Sequence, residues 1–236
     1  MAKMKVVQCY DDGVVNDIRL MDILRKYNAK ATFNLNPGLI NETETTSNRW
    51  ANMGEDIGFR GFVSGKISLK DIPKIYDGFE VASHCWNHEN ALTTDGKEWI
   101  KSAVDAKNKL EDLMQKPCKG FAYPYGTYTK ETCDLLRENG FLYGRTTEET
   151  KFVTQCDDVM ALPTNCHFLA KNFYKRYEEA KECGVFYFWG HTYELMEYDS
   201  LWQQFENKIK YISQDSDSEW ANVVDIAPLC GKKIKD

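Results

Sequence analysis

Two rhythms of apolar and polar positions alternate along this chain. Short apolar runs bounded by turn residues mark buried strands, and apolar residues three or four apart mark amphipathic helices. Lys5 to Cys9 reads as a buried strand, and Asn16 then caps a helix running to about Tyr27 with Ile18, Met21, Ile23 and Leu24 as its stripe. Ala29 to Leu35 reads as a second strand, which makes the opening a βαβ unit with a parallel sheet. From about 36 to 65 the pattern dissolves into Pro-Gly, a polar run and several glycines, a long excursion with short strands around Gly58 to Val63. Beyond it, helices are expected over Leu69 to Tyr76 (begun by Ser68), Lys97 to Met114, Lys130 to Asn139, Leu169 to Cys183 and Ser200 to Ser213. Strands are expected over Phe79 to Ala82, Gly120 to Ala122, Phe141 to Tyr143, Val185 to Trp189 and Ala221 to Ile226, and Thr150 to Leu169 is irregular with one or two short strands. No linker or repeat interrupts the series. The pattern predicts one α/β domain over residues 1–236 with mostly parallel strands, closed as a (β/α) barrel rather than left as an open sheet.

Composition narrows the function classes. The 236 residues are 42% hydrophobic, enough for one substantial core. A formal charge of -6 without a long basic run argues against nucleic acid or an anionic membrane as partner. No apolar run approaches the roughly 18–20 residues that span a bilayer. Met1 to Lys5 leads into Val6-Val7 without a signal-like apolar stretch, so a cytoplasmic location is expected unless a leader has been removed. Eight cysteines without a CxxC pair read as free thiols of a reducing compartment.

The candidate chemistry sits just past the predicted strands. His84 and His88 are two of only four histidines, four apart, a spacing that on one helical turn points both imidazoles at one metal. Asp11-Asp12-Gly13 ends the first strand; it could equally be a plain turn, as the histidines could face solvent. Tyr123-Pro124-Tyr125-Gly126 and Gly190-His191 end two more strands. Four such places at the C-terminal ends of strands, where barrels of this type carry their active sites, read better as one site than as four accidents.

In order and spacing these runs resemble the polysaccharide deacetylase family, carbohydrate esterase family 4, which includes chitin-oligosaccharide and peptidoglycan deacetylases. Cys9-Tyr10-Asp11-Asp12-Gly13 is similar to its T-F-D-D-G, and His84-Cys85-Trp86-Asn87-His88 to its H-S/T-x-x-H. Phe121-Ala122-Tyr123-Pro124-Tyr125-Gly126 is similar to its F-R-P-P-Y-G, and Phe186 to His191 to its final histidine strand. The resemblance implies a distorted (β/α) barrel, with Asp12, His84 and His88 holding one divalent metal: zinc foremost, cobalt and nickel as alternatives. It implies Asp11 as general base, His191 as the acid for the leaving amine and the Tyr125 backbone N–H as oxyanion donor. Tyr123 and Trp189, with Trp86, Tyr125 and Tyr193 nearby, are candidates for stacking on a sugar.

Two departures stand out. The third-motif arginine, which pairs with the base, is Ala122, and the fourth motif, D-x-x-D-W, which orients the acid histidine, has no counterpart. Arg145 is the candidate replacement for the arginine, a surface position being equally open; Glu148, Asp157 and Asp158 are candidates to orient His191. His167 is expected to be packed or exposed, and no role is fixed for Glu194. The leading expectation is a metal-dependent hydrolase that removes an acetyl group from an N-acetylated sugar. The alternatives are hydrolysis of another small or cyclic amide, and a non-catalytic carbohydrate-binding relative. The oligomeric state is not legible.

Overall fold

In the computed structural model, which describes residues 2–54 and 58–230, the first strand is the axis of the sheet. This strand, β1 (Met4–Asp11), is followed by helix α1 (Asn16–Lys26) and β2 (Thr32–Leu35), the expected βαβ opening. The excursion contributes β3 (Arg49–Trp50) and β4 (Phe62–Val63), a small antiparallel pair outside the main sheet; positions 55–57 of the excursion lie outside the described residues. Next come α2 (Ile72–Ile75), β5 (Glu80–Ser83), α3 (Gly96–Met114), β6 (Gly120–Ala122), α4 (Lys130–Glu138) and β7 (Tyr143–Glu149). The chain continues through β8 (Leu162–Thr164), β9 (Cys166–His167), α5 (Phe173–Ala180), β10 (Val185–Gly190), α6 (Asp199–Gln214), β11 (Ser218–Trp220) and α7 (Val223–Ile226).

Eight parallel strands run in the order β8-β7-β6-β5-β2-β1-β10-β9, and β11 joins the first half of β1. The sheet's two ends, β8 and β9, are separated in sequence only by Asn165. That residue stitches the seam. Its backbone N–H donates to the Tyr187 carbonyl, its side-chain oxygen accepts from the Tyr187 N–H at 2.7 Å, and its amide donates to the carbonyls of Thr150 and Lys151. The result is the nearly closed, distorted (β/α) barrel expected, with strands such as Val185–Phe188 buried on both faces.

Several local expectations change. Asn16 does not cap α1: it lies inside the helix and donates to the Met196 carbonyl, while Ile18 is exposed and Leu20 takes its place in the core. The next helix is the single turn Ile72–Ile75, and the helix from Leu169 shortens to Phe173–Ala180. Ala221 to Ile226 is not the last strand; the strand ends at Trp220, and Asn222 begins α7, its side chain and that of Asp225 closing a capping box. Short apolar runs carry no period that separates strand from helix, and the cap decides here. α3 starts where Asp95 accepts from the N–H groups of Lys97 and Glu98. Finally, buried Asp17 in α1 accepts from Tyr76 at 2.7 Å and Thr192 at 2.5 Å, tying the helix to the turn beyond His191; burial pushes its carboxyl up to about 7.

Candidate metal and amide-hydrolysis centre

The C-terminal ends of β1, β5, β6 and β10 deliver Asp11, Asp12, His84, Tyr123, Tyr125, Gly126 and His191, and the interior of β7 delivers Arg145, to one cavity of about 480 Å³, which His88, Trp189 and Tyr193 also line. Asp12, His84 and His88 come together there, their ligand atoms all within 4.8 Å of one another. The route differs from the helical turn expected. His84 to His88 is a loop in which Cys85 and His88 both adopt left-handed backbone conformations (φ 59° and 61°). Asp12 (φ 83°) and Tyr125 (φ 60°) do the same. Such conformations disfavour residues with a Cβ, and their concentration around one cavity shows backbone bent to place side chains.

The histidine tautomer suits a metal. The His84 Nδ1–H donates to the Ala122 carbonyl at 2.7 Å, which leaves Nε2 as the lone pair facing the aspartates. Burial lowers the His84 imidazole to about 4 and lowers His88 as well, so both rings are neutral near neutral pH. A carboxylate and two neutral imidazoles form a donor set for zinc, cobalt or nickel.

Asp11 is 2% exposed. Burial alone would raise its carboxyl, but the Arg145 guanidinium, the His84 and His191 imidazoles and Asn34 outweigh burial and hold it well below the usual carboxylate range. The Arg145 Nη2 reaches both Asp11 oxygens, at 2.6 and 2.5 Å, and the Asn34 amide donates at 2.7 Å. Arg145 is therefore buried against Asp11 and is not a surface residue. It lies inside β7 rather than past the end of a strand, and its register partner across the sheet is Ala122. Register partners share a face, so Arg145 reaches Asp11 from the strand next to the one that carries Ala122. Its guanidinium lies over the Trp189 ring, 5.0 Å from the centroid.

His191 presents Nε2 to Asp11 Oδ2 at 3.7 Å, and its other nitrogen, Nδ1, lies 3.5 Å from Glu194 Oε2. Burial works against its charge, but Glu194 and the two aspartates raise its pKa overall. None of the three expected partners is near. Glu148 takes the Tyr128 hydroxyl, Asp158 pairs with Arg137 and Asp157 is exposed. The carboxylate present is Glu194, which also accepts from the His191 backbone N–H at 2.9 Å and meets His167 Nε2 at 2.9 Å. His167 is thus half-buried and paired with Glu194, not merely packed or exposed. A signal for Glu194 was present in His191-Thr192-Tyr193-Glu194, where a glutamate three residues past a strand end reaches back to the backbone as in a capping box.

The aromatic candidates divide. Tyr123 lines the cavity but is fully buried, its ring stacked on Trp99 and its hydroxyl donating to Cys133 Sγ. Trp189 lines the cavity between Arg145 and the rings of His167 and His191. Tyr125, 64% exposed, packs edge-on against His88 at the rim.

A polysaccharide deacetylase family model matches residues 1–144, more than half of the chain. The chain belongs to the polysaccharide deacetylase family. The three candidate metal ligands and Tyr125 of this deacetylase-family chain fall within the matched residues; Arg145, His167, His191 and Glu194 lie beyond them. No curated protein matches it. Among solved structures it is similar to a family 4 acetyl xylan esterase from Clostridium thermocellum in complex with cobalt, at 15% identity and TM-score 0.58, over 95% of this chain and 91% of that one. It is also similar to a family 4 pseudoenzyme from Bacillus anthracis in a mutant with restored activity, at 15% identity and TM-score 0.56, over 98% and 70%. A Streptococcus pyogenes deacetylase in complex with acetate is 24% identical with TM-score 0.47; the match covers 60% of this chain and only 55% of that one. At these identities the likeness is one of fold. No helix among the described residues is long and apolar enough to cross a membrane.

Proposed function

We propose that this chain is a metal-dependent amide hydrolase that removes acetyl groups from N-acetylated sugars. The observation that carries this reading is the convergence of Asp12, His84 and His88 within 4.8 Å, with the free Nε2 of His84 beside an Asp11 held ionised by Arg145. A divalent ion on that triad would lower the pKa of a water and polarise the amide carbonyl. Asp11 is the base that receives the proton of the attacking water, and Arg145 and Asn34 hold its oxygens in position. The Tyr125 N–H, turned by its left-handed backbone, is the donor for the developing oxyanion. His191, whose pKa Glu194 and the two aspartates raise, delivers a proton to the leaving nitrogen, which departs poorly as an amide anion. Tyr125 and Trp189 are the ring surfaces available to a sugar.

The test is a release assay over N-acetylglucosamine oligomers, peptidoglycan fragments and small cyclic amides with zinc or cobalt supplied and metal content measured. Acetate release from the sugars that stops on chelation is the expected result. Turnover only of cyclic amides would move the substrate assignment. A fully metal-loaded protein inactive on all of them would place it with the binding relatives.

A further inference from the structure

Three side chains beyond the proposed metal ligands form a second polar constellation. His167, His191 and Glu194 come from β9, the end of β10 and the turn that follows, with ligand atoms within 4.8 Å of one another. Their hydrogen-bond roles can be read one by one. The Leu169 backbone N–H points at His167 Nδ1, which accepts it at 3.2 Å. A neutral His167 therefore carries its proton on Nε2, the atom 2.9 Å from Glu194 Oε2, and donates it there. The same carboxylate oxygen accepts the His191 backbone N–H at 2.9 Å and faces His191 Nδ1 at 3.5 Å. That Nδ1 is buried and makes no hydrogen bond; the Glu194 carboxylate oxygen 3.5 Å away is the acceptor that faces it.

The surroundings are built to this arrangement. A Cβ on Gly190 would fall 1.9 Å from a ring carbon of Phe168 and 3.0 Å from His167 Nε2, so a side chain at 190 would displace His167 from the carboxylate. The Trp189 ring stands edge-on to both imidazoles, with centroids at 4.9 and 5.5 Å, and spaces them apart. The link from Asp17 to Thr192 fixes the turn that carries Glu194.

We propose that Glu194 is the positioning carboxylate for His191 and that His167 is a neutral N–H donor that holds Glu194 in place. The pair does the work of the absent D-x-x-D-W motif from a different part of the chain. This rests on the reading of His191 as the acid. In the step itself the His191 Nε2–H proton passes to the leaving nitrogen as the C–N bond breaks, giving acetate and a free amine. The Nδ1–H proton stays directed at Glu194 and is not transferred. His167 keeps its proton throughout.

The experiment compares an N-acetylated sugar oligomer with 4-nitrophenyl acetate, whose phenolate leaves without a proton. Glu194→Gln is expected to lower kcat on the amide by at least about tenfold, a part of the ~10²–10⁴ that general acid catalysis supplies, with KM little changed and a much smaller loss on the aryl ester. His167→Phe should show the same substrate-selective loss, and His167→Gln, which keeps an N–H donor, should recover most of it. Metal content and melting temperature of each variant establish that loading and folding are intact. Equal losses on both substrates, no loss in Glu194→Gln, or His167→Gln as impaired as His167→Phe would each overturn the proposal. Wild-type protein inactive on the amide would instead defeat the assignment of function.

Discussion

Two clusters of the same composition, two imidazoles and one carboxylate, lie on either side of Asp11, and their chemistry differs. In Asp12–His84–His88 the His84 N–H points away from the cluster, to the Ala122 carbonyl, so a lone pair points in. In Glu194–His167–His191 the His167 ring N–H and the His191 backbone N–H point inward, at the carboxylate. Burial leaves the first pair of rings neutral, while Glu194 and the aspartates raise His191. Donor direction, rather than residue type, separates a cation site from a proton donor. Asp11 reaches toward both, 3.9 Å from His84 Nε2 and 3.7 Å from His191 Nε2, while Arg145 bonds to both of its oxygens.

The sharpest way to break this contrast is to remove the first cluster. His84→Ala or Asp12→Ala should abolish stoichiometric metal binding and cut amide turnover about a thousandfold, several kcal/mol of transition-state stabilisation. Elemental analysis with a rate assay checks it; a full equivalent of metal in the variants would refute the ligand assignment. Next in size is the divider. Arg145→Ala leaves Asp11 buried without its cation and should destabilise the fold by about 3–5 kcal/mol in denaturant titrations, with turnover falling as well. Unchanged stability and turnover would mean that Asp11 does not depend on it.

A third prediction reads the second cluster through acid. Burial opposes the Glu194 charge, but His167 and His191 outweigh it and lower the carboxyl from 4.5 to about 2. A depressed carboxyl contributes stability that is fully present above the unfolded value and is lost as pH falls from about 4.5 through 2. The shift corresponds to about 3 kcal/mol. In Glu194→Gln that component of the acid transition should vanish, which melts between pH 2 and 6 would show. The smallest effect is a silence: cobalt titration followed by visible absorption should saturate at a single equivalent. A second equivalent that disappears in His167→Phe would erase the difference between the clusters.

Legibility from sequence followed the same division. Asp11, Asp12, His84, His88, Tyr125 and His191 sit in short runs at strand ends, so local reading found them and the barrel placed them together. Arg145 was open to inference only because β7 lies beside β6; its register match with Ala122 is a property of the sheet. His167 and Glu194 needed more. The strand carrying His167 is two residues long, too short for a period, and exists because β10 pairs with it. The left-handed turns at Cys85 and His88 likewise carry no periodic signal, and the spacing of four was read as a helix.

The pairing of β1 with β10 sets a schedule. Lys5 finds Val185, and Tyr10 finds Gly190, across about 180 positions of chain. At roughly 5–20 residues per second, a ribosome would expose one edge of the strand bearing Asp11 and Asp12 for on the order of 10–35 s before its neighbour exists. An edge of that kind is a template for pairing with other chains. The site built on it would therefore be among the last parts of the protein to form and, during synthesis, the most in need of protection.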